Sequence, residues 1–460
     1  MTAYFADLAL LPAGWSADVR LEVDPDGTLT DVAPGGSADG AERLNGAVVP
    51  GMANLHSHAF QRGLAGALEP SAGPGEDFWS WRAAMYGFTD RLGPEEVEAI
   101  AAQAYVEMLK AGYTAVGEFH YLHRQPGGGP YDDPAELSRR VIAAARRVGI
   151  AITHLPVLYA CGGFGGREVE DAQRRFAIRP DELLAMIAGL RAGYAGDRDV
   201  RIGAAPHSLR AVTPEMLAEL VAGVQALDPM TPIHIHVAEQ KREVDECVAW
   251  SGARPVEWLL NHAPVDGRWC LIHATHMTPA ETGALASSDA VVGLCPTTEA
   301  NLGDGLFELS GYLGADGKFG IGSDSNVSVD PAEELRWLEY GQRLRRGARG
   351  VARAAGAEGR ASIGVGLWCA ATAGGAQALG REAGRLEKGQ RADLLVLDRE
   401  HPTLAGRSGD RILDAFVFAG NARPIRDVLV GGRRVVRDGR HPAEEEIAAA
   451  YRAALARLGE

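Results

Sequence analysis

The sequence predicts an α/β fold: a (β/α)8, TIM-like barrel that carries a small β-domain assembled from the two chain ends. Three observations carry this prediction. Eight short apolar runs alternate with helical stretches between residues 47 and about 380, both chain ends read as strands, and metal-type or acid–base residues recur where the apolar runs stop. A chain of 460 residues with 46% hydrophobic content has room for one large core and a smaller one.

Residues 1–46 show alternating runs such as Val19-Arg20-Leu21-Glu22-Val23, with Asp24-Pro25-Asp26-Gly27 as a turn, and form the N-terminal part of the small β-domain. Residues 47–380 form the barrel. Its first strand leads through Pro50-Gly51 to Asn54 and His58. The next seven are Ala115–Phe119, Ile152–Val157, Val200–Ala204, Pro232–Val237, Cys270–His273, Val291–Leu294 and Gly320–Gly322. Between them, Pro94 to Lys110 repeats Val97, Ile100, Ala101, Ala104, Met108 and Leu109 near the 3.6 period, with Gly112 as a stop signal. Gly127–Pro130 and Gly162–Gly166 mark loops after the second and third strands. Residues 381–460 return to strands, at Ala392–Asp398 and Val428–Val436, and close with a helical tail over about Ala443–Leu458. Neither end is long enough to bury a core alone, so the two are expected to fold together.

In a barrel of this kind chemistry gathers at the C-terminal strand ends. His56 and His58 are separated by one residue of extended chain and so point to the same side. His236 lies in the fifth strand, His273 closes the sixth, and Asp324 follows the eighth in Gly322-Ser323-Asp324-Ser325. Any one of these alone reads first as an ordinary buried histidine or a helix cap. Together, three imidazoles and a carboxylate suit a divalent metal, zinc or iron, with a position left for water. Glu239 sits three residues after His236, where the strand gives way to a loop; its other reading is a helix N-terminal carboxylate.

The formal charge of −15 disfavours nucleic acid and anionic membranes as partners. Five cysteines without C-x-x-C spacing (Cys161, Cys247, Cys270, Cys295 and Cys369) read as buried small hydrophobes in a reducing compartment. With no basic segment followed by an apolar one at the N-terminus, and no apolar run of membrane-spanning length, the expected location is cytoplasmic.

These residues are similar to the amidohydrolase superfamily: the pattern P-G-x-x-N-x-H-x-H at Pro50–His58, H-x-A-E at His236–Glu239, the sixth-strand His273, the Ser-Asp at Asp324, and the Gly384–Leu394 stretch typical of a split β-domain. The resemblance spans nearly the whole chain. It implies the barrel with its composite β-domain, metal-dependent hydrolysis and a homodimer. Binuclear members bridge two metals with a barrel lysine, whereas the only lysine between His58 and His236 is Lys110, on a predicted helix. One metal per chain is therefore expected, held by His56, His58, His236 and Asp324.

The H-x-x-E of His236 and Glu239 resembles the deaminase branch. His58–Arg62, Phe78–Arg82, Glu118–His123 and Ala205–Arg210 further resemble the formimidoylglutamate deiminases of histidine breakdown. That resemblance implies Glu239, His273 and Asp324 as catalytic residues. It also implies a small dicarboxylate amidine as substrate, met by Arg82 and Arg210 with Gln61, Tyr121 and His207 beside them. Arg82 has a second reading as a surface arginine on an aromatic-rich helix. A ring aminohydrolase of guanine or S-triazine type and, further off, a non-catalytic scaffold remain as alternatives. The arginine pair argues against the first and the complete ligand set against the second.

Overall fold

Short Val-, Ile- and Leu-rich runs without polar alternation need cover on both faces, and the central strands of this protein have it. The computed structural model describes residues 1–69, 78–353, 362–420 and 422–459. In chain order the strands begin with β1 (Thr2–Leu11), β2 (Gly14–Val23), β3 (Leu29–Ala33) and β4 (Glu42–Pro50). There follow β5 (Met52–Ser57), β6 (Tyr113–His120), β7 (Ala151–Leu158), β8 (Val200–Ile202), β9 (Ala205–Pro206), β10 (Ile233–Val237), β11 (Trp269–His273), β12 (Val291–Leu294) and β13 (Lys318–Ile321). The last three are β14 (Leu394–Leu397), β15 (Ile425–Val430) and β16 (Arg433–Val436).

The parallel sheet runs β10-β11-β12-β13-β5-β6-β7-β8, with β9 added to β7. Every residue of β5, β6 and β7 is buried, because helices cover the outer face and side chains fill the inner one. Between β8 and β10 the ladder is reduced to isolated bridges, Ala204 with Ile233 and Ser208 with His236. Here the His234 N–H donates to the Ala204 carbonyl at 3.1 Å and the His236 N–H to the His207 carbonyl at 3.0 Å. These bonds join the two ends of the sheet around a (β/α)8 barrel. The helix Ile363–Ala378 lies so close to β13 that a Cβ on Gly374 would stand 1.9 Å from the Phe319 carbonyl oxygen. Only glycine permits that approach.

The second sheet has the order β16-β15-β14-β4-β1-β2-β3 and joins both chain ends. All its pairs are antiparallel except β1 with β4. It buries Tyr4, Leu21, Leu29, Val48, Leu394, Val396 and Leu429 in a core of its own. β4 passes through Gly51 directly into β5, so one stretch of chain ends the small sheet and begins the barrel.

Three details differ from the expectation. The run Val428–Val436 is a hairpin rather than one strand, since Gly431 and Gly432, both at positive φ (53° and 72°), turn β15 back into β16. The fourth barrel strand stops at Ile202, and the short β9 continues its course against β7. Cys369 is only half-buried, unlike the other four cysteines. The helix Pro94–Ala111 ends on Gly112 in the left-handed conformation. The tail helix Glu444–Leu458 packs on it, with Lys110 Nζ 2.6 Å from Glu444 Oε2. Among the described residues no helix is long and apolar enough to cross a membrane.

Candidate active site

β5 delivers His56 from within the strand and His58 just past its end, and both are buried. Asp324 is brought to them by backbone pairing. Its N–H donates to the His56 carbonyl at 2.9 Å, and its carbonyl accepts from the His58 N–H at 2.9 Å. His236 comes from β10 on the facing side of the barrel. The Nε2 atoms of His56 and His236 stand 3.0 Å apart, and Asp324 Oδ1 is 3.2 Å from His58 Nε2 and 3.4 Å from His56 Nε2. All four ligand atoms lie within 4.8 Å of one another.

The tautomers follow from the partners of the other ring nitrogens. His58 Nδ1 is 2.9 Å from the Phe119 carbonyl and His236 Nδ1 is 3.1 Å from the His207 carbonyl. A carbonyl only accepts, so each Nδ1 carries the hydrogen and each Nε2 presents a lone pair inward. Lone pairs from His58 and His236 thus converge with a carboxylate oxygen in a buried site. Burial pushes His56 down to about 3 and His236 well below its ordinary value, which keeps both neutral. Burial opposes the Asp324 charge, but the adjoining His56 and His58 rings hold it well below the usual carboxylate range. This donor set fits a divalent cation, whose charge would bind the converging lone pairs together. A second trio, His273, Cys295 and Asp324, also converges and shares Asp324. Burial pushes the Cys295 thiol well up, so it offers a neutral S–H rather than a thiolate.

His273 Nδ1 is 3.3 Å from Glu299 Oε1, while its Nε2 faces Glu239 Oε1 at 3.7 Å and Asp324 Oδ2 at 3.9 Å. Burial works against a charge on this ring, yet the carboxylates around it, Glu239 first, raise it to about 10. Glu239 is itself pushed up by burial, with His273 and Arg210 pulling the other way. Arg210 Nη2 lies 3.8 Å from Glu239 Oε2. The turn that carries Glu239 is held by Glu243, whose carboxylate accepts the N–H of Ala238 at 3.2 Å and of Glu239 at 3.0 Å. Ala238, His273, Ala274, Asp324 and Asn326 all have positive φ, so the chain is bent sharply at three of the strand ends that face the site.

His58, Gln61, Arg82, Tyr121, His207, Arg210, His236, Glu239, His273 and Asp324 line one cavity, and His56 lies fully buried against His58 and His236. Gln61 Nε2 donates to the Tyr121 hydroxyl at 2.8 Å. Arg82 rises from the helix Phe78–Thr89 with its guanidinium over Trp79 and Tyr86, 4.9 and 5.3 Å from the ring centres. Sequence reasoning missed Tyr86, Tyr159, Glu243 and Glu299. Tyr86 was within reach of it, four residues after Arg82 on one helix face. Tyr159 and Glu299 carry no local signal, because only the fold brings their loops here.

Residues 47–435 match the family model described as the amidohydrolase family. The chain belongs to the amidohydrolase family. Its members are metal-dependent, which agrees with the donor set. In this amidohydrolase, residues 1–46 match a second model, described as the N-terminal domain of formimidoylglutamate deiminase HutF. A formimidoylglutamate deiminase of Pseudomonas aeruginosa is 53% identical over 461 residues, covering 100% of both chains. A 5-methylthioadenosine/S-adenosylhomocysteine deaminase of Natronomonas pharaonis is 30% identical over 398 residues, 85% of this chain and 81% of that one. Among solved structures, an amidohydrolase from Brucella melitensis superposes with a TM-score of 0.92 at 46% identity, covering 100% of both chains. An adenosine deaminase from Xanthomonas campestris with bound zinc shares the fold, with a TM-score of 0.81 at 22% identity over 100% of this chain and 98% of that one.

Proposed function

We propose that this amidohydrolase hydrolyses N-formimidoyl-L-glutamate to N-formyl-L-glutamate and ammonia, a step of histidine degradation. The observation that carries the reading is one cavity lined by His58, His236 and Asp324 of the donor set together with two arginines, Arg82 and Arg210. The 53% identity to a formimidoylglutamate deiminase over both full lengths supports it.

His56, His58, His236 and Asp324 would hold one divalent cation, which we take to be zinc, with iron as the alternative. When bound, such a cation supplies a Lewis acid that lowers the pKa of the attacking water toward roughly 7. Asp324 accepts the proton that water gives up. His273, with Nδ1–H committed to Glu299, offers Nε2 to the attacking oxygen and holds it in line with the amidine carbon. Glu239, 3.7 Å from His273 Nε2, binds the formimidoyl nitrogens and passes a proton to the one that leaves as ammonia. The C–N bond breaks as the C=O of the formyl group forms, so water supplies both the oxygen and the protons.

Arg82 and Arg210 bind the two carboxylates, with Gln61, Tyr121 and His207 as neighbouring donors. A neutral ring substrate would bring no anion to Arg82 and Arg210, which speaks against a purine or triazine. The reading also carries a homodimer and, from five cysteines without C-x-x-C spacing, a reducing cytoplasm. The test is direct: purified protein of measured metal content is given formimidoylglutamate. Equal amounts of ammonia and formylglutamate support the reading, and no ammonia from this substrate rejects it.

A further inference from the structure

Tyr159 follows β7 and is 6% exposed, its ring packed on His207 with centres 4.8 Å apart and on Phe176 at 5.7 Å. Gln173 Nε2 donates to its hydroxyl oxygen at 2.9 Å. The orientation of that amide is set by its other end, where Gln173 Oε1 accepts the Glu170 N–H at 2.9 Å. The Tyr159 oxygen is therefore already an acceptor, and its own O–H remains to be donated. Tyr86 lines the same cavity, and beyond burial its phenol raises that of Tyr159 further. Among the described residues no hydrogen bond takes the O–H of either phenol to a further acceptor, so this relay from Glu170 through Gln173 ends in a spare O–H donor. Burial raises the Tyr159 phenol above its ordinary value, which keeps that hydrogen in place. Both phenols line the cavity with Arg82 and Arg210.

We propose that Tyr159, held by Gln173, is a specificity-determining residue that donates a hydrogen bond to one of the two substrate carboxylates. A wall of two guanidiniums and a phenol O–H is rich in donors and selects a ligand that brings several acceptors. A carboxylate, with four lone-pair directions, takes an arginine fork and still accepts an O–H. The inference rests on the formimidoylglutamate reading and adds a third donor to its dicarboxylate site.

The experiment compares the parent protein and Tyr159→Phe on three substrates: formimidoylglutamate, its γ-amide N-formimidoyl-L-glutamine, and its α-amide N-formimidoyl-L-isoglutamine. Melting temperature and metal content are checked alongside. On formimidoylglutamate the variant should lose ~10- to 100-fold in kcat/KM, mainly through KM, the scale of one hydrogen bond to a charged group. On one of the two amides the gap between variant and parent should shrink to ~3-fold or less, because the charge that Tyr159 addressed is gone. That amide names the carboxylate. An unchanged variant, or an equal loss on all three substrates, overturns the proposal and makes Tyr159 a packing residue. The parent's own activity on formimidoylglutamate judges the underlying reading separately.

Discussion

The side-chain amide of Asn326 donates to the His58 carbonyl at 3.1 Å, tying the end of β5 to the turn after β13. The same nitrogen reaches the Asp324 carbonyl at 3.1 Å and Ser57 Oγ at 3.2 Å, and Asn326 Oδ1 accepts from Ser323 Oγ at 2.6 Å. Asn326 touches none of the four candidate ligand atoms, yet it sets the spacing between two of the residues that carry them. Outer groups of this kind commonly contribute 10- to 100-fold in metal affinity. Asn326→Leu should therefore weaken binding by ~10- to 100-fold in chelator competition, while His236→Ala should lose nearly all metal. The parent should carry about one ion per chain by elemental analysis. Full metal content in His236→Ala would put the site elsewhere, and two tightly held ions in the parent would refute the single-metal count.

Glu239 is buried beside His273 and Arg210, with its pKa raised chiefly by burial. Glu239→Gln keeps the size and the link to Arg210 but cannot exchange a proton. It should retain metal and melting temperature and lose ~10²-fold or more in kcat. Turnover near that of the parent would reduce Glu239 to a structural carboxylate.

The two arginines are predicted to act on the glutamate portion and not on the reacting carbon. Each of Arg82→Met and Arg210→Met should lower kcat/KM on formimidoylglutamate by ~10- to 10³-fold, the scale of losing a charge-assisted bond at about 1.4 kcal/mol per tenfold. The gap should close on formamidine, which has no carboxylate. Full activity of both variants on formimidoylglutamate would remove the basis for this substrate while leaving a metal-dependent deaminase.

His154, fully buried in β7, has no hydrogen-bond partner at either ring nitrogen among the described residues. Burial lowers it from 6.5 to about 3. The folded state therefore stays unprotonated where the unfolded chain takes up a proton. Its contribution to stability is fully present above pH 6.5 and is lost as pH falls toward 3, at about 1.4 kcal/mol per unit. In urea titrations between pH 6 and pH 4, His154→Leu should show a stability slope shallower than the parent by about that amount. Parallel slopes would mean that His154 is charged or hydrated in the fold.

The barrel was legible because its code is local. Runs such as Val291–Leu294 are apolar throughout, a composition that suits a strand covered on both faces, and the His-x-His of β5 points one way because extended chain alternates. Eleven residues nominated from the sequence meet at one cavity for the same reason: strand ends of a parallel barrel all open on one face. The hairpin at Gly431-Gly432 was hidden, since two glycines inside an apolar run read equally as a strand interior until their positive φ is known. What the sequence by itself determined is thus the alternation of elements and the residue types at their ends. Tertiary structure alone decided the contacts between segments far apart in the chain. It set Glu299 against His273, the Asn326 amide against the His58 carbonyl, and Gln173 against Tyr159. Those contacts depend on how loops from different βα units settle against one another, and no periodicity in the chain encodes that.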